Sequence, residues 1–153
     1  MLKGISPLLT PDLLKVLAEM GHGDEIVLAD ANFTAASLSR AAGCPVLQVP
    51  GATVEQLAQA VLALMPLDAA VEQPVAYMQV CDWPQGQQSA QQRAVIAMLE
   101  REGHARAAQC AATERFAFYE RTRRAFAIVL TGELQPYGNV ILKKGVIGEA
   151  LVP

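Results

Sequence analysis

The chain has 153 residues, 52% of them apolar and 18% charged, with a formal net charge of -3. That length suits one domain, residues 1–153, built around one core. The acidic balance, in which Arg121, Arg123 and Arg124 form the lone basic cluster, excludes a polyanion-binding surface, so no nucleic-acid partner is expected.

In chain order, Thr10 can cap a helix whose first position is Pro11 and whose dipole Asp12 complements. Leu13, Leu14, Leu17 and Met20 repeat at helical spacing, which predicts a helix over 11–20 with Gly21 as its left-handed end. The apolar run 25–30, closed by Asp30, reads as a buried parallel strand, so His22 and Asp30 bracket it. Residues 32–43 read as irregular or partly helical, and 45–50 as a short strand closed by Pro50-Gly51. Thr53 caps a helix carrying Val54, Leu57, Ala58, Val61, Leu62 and Leu64, with Glu55 and Gln56 in its first turn.

A strand is expected over 75–81, a polar-faced helix over 88–102, and a weaker strand or extended segment over 104–112. Residues 114–125 have few β-branched side chains and alternate charge at helical distance, which predicts a helix. Residues 126–131 then read as a strand, 132–136 as a turn and 139–142 as a final strand. Helices alternating with strands predict an α/β three-layer sandwich with a mostly parallel central sheet, closed by an antiparallel strand near the end.

The opening residues show no secretory pattern, and no stretch approaches the roughly 18 to 20 apolar residues of a membrane span, so no membrane partner is expected. Cys44, Cys81 and Cys110 match neither a disulfide framework nor a zinc spacing, which points to a reducing cytoplasmic setting with mostly buried thiols. The high apolar share means a large core or apolar surface covered by other copies of the chain.

Ligands of open α/β sheets sit at the carboxyl ends of strands, which selects Asp30, Asp82 and the region 131–139. Neither a dinucleotide-binding nor a phosphate-loop glycine pattern is present, and two histidines make no metal cluster, so neither a cofactor nor a metal site is expected. His22, between two glycines, can point into a cleft or be a simple exposed residue beside a helix end. Asp30 can hold a ligand or cap the following turn. His104 reads as solvent-facing. Arg115 can hold hydroxyls or sit in a structural ion pair, and Tyr119 and Tyr137 can each supply a phenol or pack in the core. In Tyr137-Gly138-Asn139, the small central residue lets backbone amides and the Asn139 side chain converge on one ligand.

The strings Leu13 to Ile26 with Gly21-His22-Gly23-Asp24-Glu25, Asp30-Ala31-Asn32-Phe33, Arg115-Phe116-Ala117-Phe118-Tyr119-Glu120-Arg121, and Thr131-Gly132-Glu133 through Tyr137-Gly138-Asn139 to Gly145 run in order over nearly the whole chain. In that combination the sequence resembles the RbsD/FucU family of sugar mutarotases, its fucose branch in particular. The pattern departs at Thr34, where the family usually carries proline, and across 73–112. The resemblance implies interconversion of the α and β anomers of a free aldose, L-fucose or a related sugar, without a cofactor. It implies that His22 is the proton donor, with Tyr119 a partner in proton transfer. It further implies that Asp30 and Arg115 bind substrate hydroxyls, that Tyr137, Gly138 and Asn139 hold the anomeric end, and that copies assemble into a ring with sites near subunit interfaces. A non-catalytic sugar-binding accessory protein of uptake or regulation is the alternative, and would need no acid at position 22.

Overall fold

A Thr10 hydroxyl accepting the Leu13 amide at 3.3 Å starts helix α1 (Pro11–Glu19), as the spacing predicts. Its other end differs from expectation, because Met20 leaves the helix in an extended conformation and Gly21 is not left-handed. The Lys144 ammonium does the capping instead, donating to the Leu17 carbonyl at 2.8 Å and the Met20 carbonyl at 2.5 Å. With those carbonyls satisfied, the turn into strand β1 (Glu25–Ala29) places its positive φ at Gly23, +86°.

Helix α2 (Ala35–Ala42) fills the segment left open by the sequence, and strand β2 (Val46–Val49) follows. Helix α3 (Val54–Leu62) begins with a reciprocal pair of bonds between Thr53 and Gln56. Strand β3 (Val75–Met78) is shorter than its expected span, and helix α4 (Ala90–Arg101) is capped by Ser89. The weak segment before residue 113 resolves into a 3-10 turn, Ala107–Gln109, and strand β4 (Cys110–Thr113). Helix α5 (Arg115–Thr122) and strands β5 (Ala127–Thr131) and β6 (Val140–Lys143) complete the order. The computed structural model describes residues 2–148, among which no helix is long and apolar enough to cross a membrane.

The six strands form one sheet in the order β2-β5-β1-β6-β3-β4. All pairings are parallel except those of β6, which runs antiparallel to β1 on one side and to β3 on the other. The expected antiparallel strand near the end of the chain is β6, and it lies inside the sheet, between β1 and β3. Alternation along each strand sends side chains to opposite faces. Ile26 and Leu28 pack with α1, α3 and α4, while Val27 and Ala29 pack with α2 and α5 around Phe118. Two buried clusters separated by a sheet are the three layers that the alternation predicts.

Two smaller expectations also change. Of the cysteines, Cys110 is buried, its thiol pushed up to about 11 by burial, while Cys44 is half-buried and Cys81 exposed. His104 is not solvent-facing: its side chain is 23% exposed and its Nε2 lies 3.6 Å from Glu102.

Candidate active site

The parallel strands β1 and β3 end on the same side of the sheet, where β6 begins. The chain leaves β1 toward β2 in one direction, and β3 lies in the other, so a crevice opens at this reversal of strand order. A cavity of about 300 Å³ fills it, lined by Asp30, Asn32 and Phe33 after β1, Met78 of β3, Arg115 and Tyr119 of α5, and Pro136, Tyr137 and Asn139 before β6. That volume is at the small end for small-molecule pockets, about 300–1,000 Å³.

Asp30, Asn139, Arg115 and Tyr119 are each held by a neighbour. Asn139 is buried, and its Oδ1 accepts the Asp30 amide at 2.9 Å, which ties the end of β1 to the start of β6. One Asp30 carboxylate oxygen accepts the Asn32 amide at 2.9 Å. Burial pushes the Asp30 carboxyl above its ordinary range, against the opposing hydrogen bonds of the Asn32 amide, the Asn139 side chain and the Gly138 amide; nearby Glu133 adds to the rise. A carboxylate kept in such surroundings is costly, and perturbed carboxyls of this kind concentrate at functional sites.

On the opposite wall, Arg115 Nε donates to the Tyr119 hydroxyl at 3.0 Å, a contact that pushes the guanidinium further above its ordinary value. The Tyr119 ring meets Phe33 edge to face at 5.8 Å, and Phe33 meets the fully buried Phe118 in the same manner at 6.2 Å. Arg115 and Tyr119 are thus aimed by a helix whose underside is anchored in the core. Tyr137 adopts a positive φ of 63°, a conformation that an aromatic residue rarely takes and that orients its ring toward the pocket. Its phenol is pushed up first by a hydrogen bond with the Cys81 thiol and then by burial. Gly138 is required sterically, since a Cβ there would lie 2.9 Å from the Gln135 carbonyl oxygen and 3.0 Å from Glu133 Cγ.

The structure brings Asp30, Arg115, Tyr119, Tyr137 and Asn139 around one cavity, with Gly138 in the adjoining turn. It does not bring His22 there. His22 precedes β1 and Asp30 follows it, so within one chain the two are on the order of 20 Å apart, the length of the intervening extended segment. Within one chain His22 therefore lies outside the crevice that holds Asp30. Its Nε2 lies 3.1 Å from Asp68 Oδ1 at the opposite end of the sheet, and its ring is half exposed. Asp82 is exposed and outside the cavity, and Thr131 serves the scaffold, its hydroxyl donating to the Ala29 carbonyl at 2.9 Å.

Asn32, Phe33 and Met78 line the cavity without having been given a site role from the sequence, and Pro136 lies within the selected region 131–139. Asn32 and Phe33 could have been found from their place just beyond the carboxyl end of a strand. Among the described residues no group of three or more His, Cys, Asp or Glu side chains is placed to hold a metal.

Comparison with known proteins places this geometry in context. The family model described as the RbsD / FucU transport protein family matches residues 3–147. The chain is 49% identical over 148 residues to a fucose mutarotase of Homo sapiens, covering 95% of this chain and 94% of that one. It is 47% identical over 146 residues to an L-fucose mutarotase of Glaesserella parasuis, covering 95% and 96%. Among solved structures, the fucose mutarotase of Streptococcus pneumoniae in complex with L-fucose superposes with a TM-score of 0.83 at 40% identity, covering 96% of this chain and 100% of that one. FucU from Bifidobacterium longum gives 0.87 at 34% identity, covering 95% and 100%. With the match running through nearly every element that builds the crevice, the chain belongs to the RbsD/FucU family.

Proposed function

We propose that the protein is a cytoplasmic aldose mutarotase, a single catalytic domain that interconverts the anomers of L-fucose or a related sugar. The observation that carries this reading is the crevice itself: a carboxylate, a guanidinium, two phenols and two amide side chains converge on a space of about 300 Å³ beside the apolar Phe33 and Met78. Such a lining suits a ligand with several hydroxyls and one apolar edge, which describes a 6-deoxy sugar. Relatives that carry the mutarotase name at 45% to 49% identity support it.

The reaction removes a proton from the anomeric hydroxyl and delivers one to the ring oxygen. The bond between C1 and the ring oxygen breaks, the C1 carbonyl forms, and rotation about C1–C2 lets the ring close on either face with the proton movements reversed. Asp30 and Arg115 hold hydroxyls, Tyr137, Gly138 and Asn139 hold the anomeric end, and Tyr119 takes part in proton transfer with His22 as the acid. Because His22 sits on the far side of its own chain, the proposal includes a homo-oligomer, ring-like, in which His22 of one copy reaches the crevice of another. The exposed Phe116 (67%) and Leu134 (76%), on the two segments that flank the crevice, support an apolar rim covered by a neighbour.

Saturation-transfer NMR on L-fucose tests the reading. Wild-type protein is expected to accelerate anomer exchange, and His22→Gln to lose on the order of 10²- to 10⁴-fold of it, the usual worth of a general acid. Exchange at the wild-type rate in His22→Gln would remove His22 from the mechanism, and a monomer by light scattering would remove the shared site. The position of His22 outside its own crevice also favours a second reading, a sugar-binding protein without catalysis. Sugar binding with no acceleration of exchange would select it.

A further inference from the structure

We infer that Gln92 is a positioning residue for the sugar site, its buried side-chain amide holding the Tyr137 turn against the end of β3 so that the phenol stays in the crevice wall. This rests on the reading of Tyr137 as a group that holds the anomeric end. Gln92 is 1% exposed, near the start of α4. Its Nε2 donates to the Met78 carbonyl at 2.7 Å and to the Tyr137 carbonyl at 3.0 Å, and its Oε1 accepts the Ser89 amide at 3.0 Å. Turning the amide over would set its oxygen against two carbonyls, so these three partners fix its orientation.

Capping alone does not ask for this burial. Helix α3 opens with the same reciprocal pair, Thr53 with Gln56, and there Gln56 is exposed, accepts the Thr53 amide at 3.0 Å and lies outside the crevice. The two helices share a cap, and only the Gln92 NH2 group reaches the site. Sinking an amide into the interior is costly unless its donors find acceptors. Both hydrogens of Gln92 do, on the backbone of two residues that line the cavity.

The clamp holds a conformation with little support of its own. Tyr137 has a φ of 63°, in the left-handed region that L side chains rarely adopt. Among the described residues no backbone amide donates to its carbonyl, whereas the Gly138 amide that follows donates back to Gln135 at 3.2 Å. Gln92 supplies the missing donor. Relaxation of Tyr137 to a negative φ would re-aim both its carbonyl and its ring, breaking that bond and taking the phenol off the wall it shares with Met78. The Met78 amide in turn donates to the Asn139 carbonyl at 3.2 Å, so one glutamine fixes Met78 and Tyr137 directly and the start of β6 through Met78. Helix α4 lies in the stretch 73–112 where the sequence departs from the family pattern, so this support comes from the part of the chain that is most its own.

Two matched substitutions test this. Gln92→Met and Gln56→Met each remove a cap acceptor in the first turn of a helix, and the first alone also removes the donors to Met78 and Tyr137. Protein carrying ¹³C at the tyrosine Cζ gives one signal for each of three tyrosines, with Tyr137→Phe assigning that of Tyr137. In Gln92→Met the Tyr137 signal is expected to shift or broaden while that of Tyr119, on the opposite wall, stays. Exchange of L-fucose should fall about 10- to 100-fold, mainly in kcat, because a misplacement on the order of 1 Å at the reacting end costs about that much. Gln56→Met should keep the Tyr137 signal in place and the rate within about twofold. A Gln92→Met protein that melts lower but keeps the Tyr137 signal and kcat would reduce Gln92 to a helix cap and overturn the inference. Gln92→Glu, which retains the cap acceptor and loses the donors, reads the same loss if Gln92→Met does not fold. In wild type, Gln92 side-chain amide protons exchanging into D2O as fast as those of Gln56 would overturn it without any variant. If Tyr137→Phe keeps full activity, the reading of the Tyr137 phenol as a sugar contact fails, while the Tyr137 signal still decides whether Gln92 holds the turn.

Discussion

Replacing Asn139 by Leu keeps the branched outline of the side chain, though its methyl groups are larger, while deleting the weak contact of Nδ2 with Met78 Sδ at 3.9 Å and the acceptor of the Asp30 amide. Both residues are 3% exposed and the bond is 2.9 Å long, so no water can take over the orphaned N–H without opening the crevice. An unsatisfied buried donor costs about 1 to 3 kcal/mol. For a chain of this size each kcal/mol lowers Tm by roughly 2 to 4 °C, so the expected drop is about 2 to 12 °C. The loss should also depend on pH. Burial already raises the Asp30 carboxyl, so the folded state holds its proton where the unfolded chain has released it, and Asp30 costs stability as pH rises through that window. Asn139 is one of the groups opposing the rise, so without it the deficit should be larger at pH 7 than below the ordinary carboxylate range. Circular-dichroism melts at matched concentration, at neutral and acidic pH, measure both effects. A Tm equal to wild type at pH 7 would refute the claim that this bond ties β1 to β6.

Glu25 gives the opposite sign of pH dependence. Burial raises its carboxyl, but the hydrogen bonds and charges of Arg121, at 2.9 and 2.8 Å, and Lys143, at 3.1 Å, outweigh that and lower it overall. Its stabilisation is present above the ordinary glutamate range and lost as pH falls through the folded value. Glu25→Gln should therefore cost about 1 to 3 kcal/mol in urea unfolding at pH 7 and converge with wild type in acid; a pH-independent gap would contradict it. Gly132→Ala would place a Cβ 2.1 Å from the Pro50 carbonyl oxygen and should cost about 2 to 4 kcal/mol, whereas Gly51→Ala, with nothing within 4 Å, should be near neutral. Equal urea midpoints for the two would show that the β5 and β2 ends are not in that contact.

Local chemistry was legible because it acts over a few residues. Thr10 with Pro11, and Thr53 with Gln56, mark helix starts by the geometry of one turn, and the alternation in Ile26-Val27-Leu28-Ala29 separates two faces without reference to anything distant. What failed to show was pairing across the chain. The end of α1 looked like a task for Gly21 because glycine is the local solution, yet Lys144 performs it from 127 and 124 residues away. The central place of β6 was hidden for the same reason, since a period of two says that a segment is a strand and nothing about which strands flank it. At the site, polar residues at strand ends stood out, while the apolar wall of Phe33 and Met78 looked like ordinary core. That His22 and Asp30 bracket a strand was visible at once. The distance this imposes, and the Asp68 contact 46 residues on, needed the three-dimensional arrangement.

The position of β6 has a consequence for biosynthesis. The sheet consists of a trio, β2-β5-β1, and a pair, β3-β4, with no ladder between them until residues 140–143 are laid in. A chain emerging from a ribosome would hold two facing, unsatisfied strand edges, those of β1 and β3, for as long as it takes to translate the stretch that follows β4. At about 5 to 20 residues per second that exposure lasts seconds, long compared with the microseconds in which a hairpin closes. The strand that joins the halves also carries Asn139 at its start and Lys144 just past its end, so completion of the sheet, seating of the crevice and capping of α1 become one event. A nascent chain would thus acquire its ligand site at the moment it ceases to be sticky, with no long-lived form that has one property and not the other.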